Sequence, residues 1–326
     1  MNIAVHPRKS ILMALLAFSP FIQCAPFPIG FSISEHKIVE EIPEKDKDFA
    51  FIIPGKIDTY IYKEESDYYQ DYQRSYFAIT NAKGGWDCMR HYEILANGCI
   101  PYFLDLDKCN PKVMHLLPKE LIKEAMNLEG VSYLKIDHTK FNKKKYYQIL
   151  TKLLEYTRQH LTTKNMAEYI LKKVNYKGNG SILFLANKLS PDYMVTRVLT
   201  GLKELYQDRI IDFPKIDFIY KSYNGDMQNL YGKGMSYAKI IDDLPVDRKN
   251  IEQRIKNKEF DLIIYAYIHH GFPFYDLVKQ TYETEKIIYI CGEDCHQCEF
   301  KNLPNLFLRE FDARSPLTWP FYREVK

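Results

Sequence analysis

The chain has 326 residues, of which 46% are hydrophobic and 27% charged, and a formal net charge of +3. That length leaves room for two domains, each burying its own core. The charge is too small for a protein that tracks nucleic-acid phosphates or is held electrostatically on an acidic membrane surface. The 26 tyrosines, against two tryptophans, suit stacking on sugars or bases, although an AT-rich genome gives the same excess.

The N-terminal stretch, residues 1–25, reads as an export signal. Arg8 and Lys9 precede the apolar run from Ile11 to Phe18, which is too short to span a bilayer. A buried N-terminal strand or helix is the competing assignment. Any membrane association would go through this segment alone. Seven cysteines scattered over a long chain are not a disulfide framework. Their usage favours the cytoplasm, against the export signal.

Phe51–Ile53, ended by Pro54-Gly55, and Thr59–Tyr62 read as strands leading into a first domain. Glu64 to Arg74 reads as a tyrosine-rich helix. From Ser75 to Asp105 the pattern becomes strand, glycine turn, helix, turn, strand. Tyr76–Thr80 is an apolar strand, and Lys83-Gly84-Gly85 is a turn that tolerates positive φ or the close approach of a ligand. Asp87 is the expected N-cap of a helix that Asn97-Gly98 stops. Cys99–Leu104 reads as a second strand, its Pro101 marking either the strand's first residue or an irregular edge.

A helix tip behind a glycine turn offers unpaired N–H groups and partial positive charge, and Lys83 adds a full charge beside it. Arg90, Glu93 and Asn97 share one helical face. A cation, a carboxylate and an amide on one face can hold a phosphorylated, hydroxyl-rich ligand. The plainer alternative is an exposed Arg90–Glu93 pair.

The block KGGWDCMRHYEILANGCIPYF resembles the donor-sugar half-site of GT-B glycosyltransferases, especially exostosin-like families. The matching positions are Arg90 and Glu93 on the helix, followed by Gly98-Cys99-Ile100-Pro101. The resemblance implies that Glu93 binds ribose or sugar hydroxyls and that Lys83 and Arg90, with the turn Gly84-Gly85, face a diphosphate. The second glutamate that many such sites carry two turns later is absent here, where that register falls on Ile100 and Pro101.

Further on, Pro111–Gly130 reads as helical or turn and Tyr133–Ile136 as a short strand. Tyr146–Val174 reads as two helices broken near Leu161-Thr162-Thr163. After Gly178-Asn179-Gly180 come strands at Ser181–Leu185, Ile216–Tyr220, Leu262–Ala266, Lys286–Ile290 and Leu306–Leu308, alternating with helices at 191–205, 251–260 and 275–282. Strands apolar throughout and separated by helices indicate a parallel sheet covered on both faces. The expected fold is therefore α/β with two lobes. The C-terminal half (176–326) is a Rossmann-like parallel sheet, and residues 26–175 form a donor-like α/β domain with a helical end. Overall it is GT-B-like, with the lobe order permuted or the first lobe reduced.

Ligands of such sheets lie at the carboxyl ends of the strands. The loops there carry His269 and His270, then Glu293, Asp294 and His296, with Tyr231-Gly232-Lys233-Gly234 between the second and third strands. Asp294, His269 and His270 are the candidate acid–base residues. Cys291, Cys295 and Cys298 have the Cys-x3-Cys-x2-Cys spacing of iron–sulfur cluster ligands in radical-SAM enzymes, but the remainder to Lys326 is far too short for the barrel that follows it there. Zinc held by these thiols with His296 is one alternative, and free thiols are the other.

The expected activity is metal-independent, cofactor-free transfer of a sugar from a nucleotide-sugar donor to a hydroxyl acceptor on a glycan, lipid or protein, with no nucleic-acid partner. The alternatives are a metal-dependent hydrolase built on the His, Asp and Cys loops, or a non-catalytic exported binding protein on a transferase-like scaffold.

Overall fold

The computed structural model describes residues 25–186, 191–294, 298 and 300–312. Most of the expected export segment, with Cys24, Cys295 and His296, lies outside these. The strands are β1 (Phe27–Pro28), β2 (Lys47–Phe49), β3 (Ser75–Thr80), β4 (Ile100–Phe103), β5 (Val131–Ser132), β6 (Lys135–Ile136), β7 (Ser181–Leu185), β8 (Ile210–Phe213), β9 (Phe260–Tyr265), β10 (Ile287–Cys291) and β11 (Leu306–Leu308). The helices are α1 (Glu65–Arg74), α2 (Met89–Ala96), α3 (Lys119–Met126), α4 (Lys143–His160), α5 (Thr163–Lys173), α6 (Tyr193–Tyr206), α7 (Ile251–Lys256) and α8 (Tyr275–Thr281). Among the described residues, no helix is long and apolar enough to cross a membrane.

The fold is mixed α/β. Six parallel strands run in the order β1-β11-β10-β9-β7-β8, and three more form a parallel sheet β2-β3-β4. In the larger sheet, alternate residues enter different cores. Ile182, Phe184, Ile264 and Ile290 pack with α5 and α6, while Leu183, Leu185, Ile263 and Tyr289 pack with α7 and α8. Period-two alternation with both faces covered explains why these strands read as unbroken apolar runs. Leaving β1 aside, the strands follow the doubly wound order 2-1-3-4-5, which reverses between β7 and β9.

The sixth strand comes from the opposite end of the chain. Phe27 and Pro28 pair with Phe307 and Leu308, and the edge position tolerates the proline. The chain then threads between the sheets, where Ile33 exchanges backbone hydrogen bonds with Leu161 and Thr163. Thr162 caps α5 by accepting from Asn165 N, at the break expected from the sequence. The α2 stop also behaves as expected. Gly98 has φ +61°, Gly98 N donates to Leu95 O, and Cys99 N donates to Ile94 O, which together form a Schellman motif.

Several expected elements fall elsewhere. Ile216–Tyr220 is not a strand but a 3-10 turn at Asp217–Ile219, and the strand is β8, directly before Pro214. Asp212 breaks the apolar run of β8, yet it is fully buried because Lys203 and Arg248 pair with it at 3.3 and 2.6 Å. Phe51–Ile53 lies beyond β2, and Phe51 is half exposed. Thr59–Tyr62 is replaced by a 3-10 turn at Ile57–Thr59. Tyr133–Ile136 resolves into the β5–β6 hairpin, with Leu134 at φ +59°.

The α5–α6 crossing depends on Gly201, where an added Cβ would lie 1.9 Å from Thr163 O. Helix propensity alone predicts that Gly201→Ala stabilises by about 1 kcal/mol. The backbone contact reverses the sign. We expect Gly201→Ala to lose about 1–3 kcal/mol in urea unfolding, through displacement of α5.

Candidate functional site

A cavity of about 570 Å³ opens where the carboxyl ends of both parallel sheets converge, a volume typical of small-molecule sites. Lys83, Gly84, Gly85, Arg90 and Glu93 from the β3–α2 segment all line it, as does Asp294 beyond β10. Tyr231, Gly232 and Lys233 contribute from the β8–β9 connection. His269 and His270 are not among the lining residues; Tyr267, earlier in the same loop, is.

The tip of α2 differs from expectation. Cys88, not Asp87, is the N-cap residue, with no side-chain capping bond. The Asp87 carboxylate turns away from the helix. Its Oδ2 accepts from Phe31 N at 2.6 Å and its Oδ1 from Tyr92 OH at 2.9 Å. The glycine turn is already approached from within the protein. Glu310, just after β11, accepts Asp87 N at 2.9 Å through Oε1, and an added Cβ at Gly85 would meet that oxygen at 2.4 Å. Gly85 is needed for Glu310 to fit, and neither Gly84 nor Gly85 has positive φ.

Arg90 and Glu93 are not an exposed pair, being 8% and 5% exposed respectively. Glu93 Oε1 accepts from Ser236 Oγ at 2.6 Å and Oε2 from Tyr68 OH at 2.9 Å. Burial raises the Glu93 pKa, opposed by Ser236, Tyr68 and Arg90. Arg90 donates to Tyr60 OH at 3.0 Å through Nη2, and its Nε and Nη1 have no protein partner. A guanidinium stays charged, so a buried cation borders the cavity, with two enclosed nitrogens that no protein group accepts from. Lys83 lies 5.4 Å from the centre of the Tyr60 ring. Asn97 serves the fold, donating to Glu93 O and accepting from Gln73.

Arg309 joins the walls. It is 1% exposed. Its Nε donates to Gly292 O at 3.0 Å, its Nη1 to Asp87 O at 2.6 Å and its Nη2 to Asp294 Oδ1. The guanidinium also stacks on Phe31, 4.7 Å from the ring centre. Asp294 is thereby fixed as an acceptor in the cavity wall. Asp192, which lines the cavity from the start of α6, caps that helix by accepting Val195 N at 2.8 Å. Burial raises its pKa.

His269 turns to sulfur instead. Its Nε2 lies 2.9 Å from Cys291 Sγ, and Nδ1 is 3.9 Å from Glu293 Oε2. The hydrogen bond with Cys291 holds the Cys298 thiol below its ordinary range against burial, with His269 adding to it, while the same pairing and burial push Cys291 up. Asp294 and His269 therefore serve different partners, and among the described residues no cluster of metal-ligating groups joins them.

Arg309, Tyr60, Tyr68 and Asp192 were not anticipated. Arg309 and Glu310 were accessible to the same rule that picked out Asp294, since they immediately follow a short apolar strand.

Burial pushes the Glu310 carboxyl from 4.5 up to about 7, against the pull of Arg309. Between these values the folded state keeps a proton that the unfolded chain has released, so stability falls as pH rises through this window and levels off above about 7. Burial raises Asp87 with the same sign. We expect Glu310→Gln to remove the Glu310 share, on the order of 3 kcal/mol, and to be more stable than wild type at about pH 8. Urea unfolding of both proteins across the window measures the difference.

Comparison of the chain with protein-family models, curated proteins and solved structures finds no match.

Proposed function

We propose that this protein transfers a sugar from a nucleotide-sugar donor to a hydroxyl acceptor, its two sheets forming facing lobes of GT-B character with the donor-binding segment in the first. The observation that carries this reading is Arg90: a buried cation on a cavity wall, with Nε and Nη1 unpartnered. A buried charge is costly, and an anion in the cavity beside Arg90 offsets it electrostatically. The resemblance of the surrounding segment to GT-B donor sites makes a sugar-linked diphosphate the preferred anion.

In this reading Arg90 and Lys83 take the diphosphate. Glu93 retains unused lone pairs beyond those engaged by Ser236 and Tyr68, and these accept donor hydroxyls. The acceptor oxygen attacks the anomeric carbon, the bond from that carbon to the phosphate oxygen breaks, and the nucleoside diphosphate leaves with the bonding electrons. Arg90 and Lys83 stabilise the charge that develops there. Asp294, oriented by Arg309, accepts the acceptor's proton. Donors held by buried side chains favour discrimination among ligands, because an analogue lacking the matching group leaves them unpaired.

The test is thermal unfolding with a panel of nucleoside diphosphates. A ligand at one hundred times its dissociation constant stabilises by about 2.7 kcal/mol. Arg90→Met should lose that shift. Its stability without ligand is measured alongside, because Arg90 also offsets the buried charge of Glu93. If no nucleotide shifts the wild type, the transferase reading fails.

A further inference from the structure

Away from the cavity lining, the side chains of His269, Cys291 and Cys298 converge so that their donor atoms all lie within 4.8 Å of one another. We propose that these three residues fill three of the four tetrahedral positions around a zinc ion, with water in the fourth, and that the ion ties together the carboxyl ends of two neighbouring strands. The proposal stands apart from the transferase reading.

Each ligand comes from a different segment of one corner of the larger sheet. Cys291 is the last residue of β10. His269 follows β9, which pairs with β10 in parallel. Cys298 lies on the return toward β11. Thiolates and imidazole are preferred zinc donors, and zinc bonds of about 2.3 Å to sulfur and about 2.0 Å to nitrogen imply donor separations of roughly 3.5–3.8 Å in a tetrahedron. His269 Nε2 and Cys291 Sγ, at 2.9 Å, need to open by about 0.6 Å to reach the shorter of these separations, and the 4.8 Å bound on all three donors leaves room for the longer.

The surroundings fit such a site. Cys291 and Cys298 are 1% and 3% exposed, and they belong to the apolar cluster containing Ile268, with Phe272 and Phe300 packed against it. Such a shell holds the three ligands in place and restricts access to the fourth position. The other imidazole nitrogen of His269 faces Glu293, the arrangement that orients a metal-bound histidine. None of the three donors lines the cavity, so a bound ion has no route to a substrate there. Glu293 and Asp294, which do line it, begin two residues after Cys291. Metal at Cys291 therefore fixes the segment that presents them.

The test uses the full chain, expressed with added zinc and purified under reducing conditions. Elemental analysis should find close to one zinc per chain, falling at least tenfold in Cys298→Ser and His269→Gln. Replacement of the zinc by cobalt(II) in the wild type should give the visible absorption of a tetrahedral ion and a near-ultraviolet sulfur-to-metal band corresponding to two or more thiolates. That spectrum decides the matter even if the variants fail to fold. The proposal is overturned if the folded, reduced wild type holds less than about a tenth of an equivalent of metal. It is also overturned if the cobalt spectrum lacks the sulfur band, or if mass spectrometry finds Cys291 and Cys298 joined as a disulfide in that preparation.

Discussion

The guanidinium of Arg309 is the joint on which the arrangement depends. It leaves the end of β11 fully buried and reaches the β10 loop through Gly292 O and Asp294, the approach to α2 through Asp87 O, and the thread after β1 by stacking on Phe31. Each of these contacts uses a different edge of a planar, multiply donating group, which a lysine could not reproduce. Burying such a charge is tolerable only where acceptors surround it. Here the acceptors are supplied by both sheets, so the charge is satisfied only when the sheets meet in this register. The cavity between them follows from that requirement.

The same junction changes how the tip of α2 works. Glu310, next in the chain after Arg309, takes the Asp87 N–H and packs against Gly85. A glycine turn before a helix suggests a cradle for an outside anion, but here an internal carboxyl group reaches it first. One turn further on lies Arg90, two of whose donors no protein group takes. Glycine was required, but for packing by the protein itself.

Much of this was legible from residue patterns. The unbroken apolar runs of β7, β9, β10 and β11 announced a sheet buried on both faces, and Thr162 and Gly98 marked helix ends through well-understood local chemistry. Five residues between Lys83 and Glu93 were singled out together, and all five line one cavity. What escaped did so for tertiary reasons. β8 contains Asp212, whose burial depends on Lys203 and Arg248 from elsewhere. β2 is a short polar segment made a strand by its neighbour β3. The meeting of His269 with Cys291 and Cys298 requires adjacent strand ends, which no spacing along the chain reveals.

The pairing of Phe27 with Phe307 carries a consequence for biogenesis. Among the described strands β1 borders only β11, which leaves the ribosome after all the others. Until β11 has been made, β1 has no edge to join. Closing so long a separation costs chain entropy that grows only slowly with length, but it cannot begin before β11 is synthesised. The Phe31–Arg309 stacking and the Asp87–Arg309 hydrogen bond wait for the same event. The cavity is thus completed only after β11, and nascent chains truncated before Leu306 lack the wall that Arg309 holds in place.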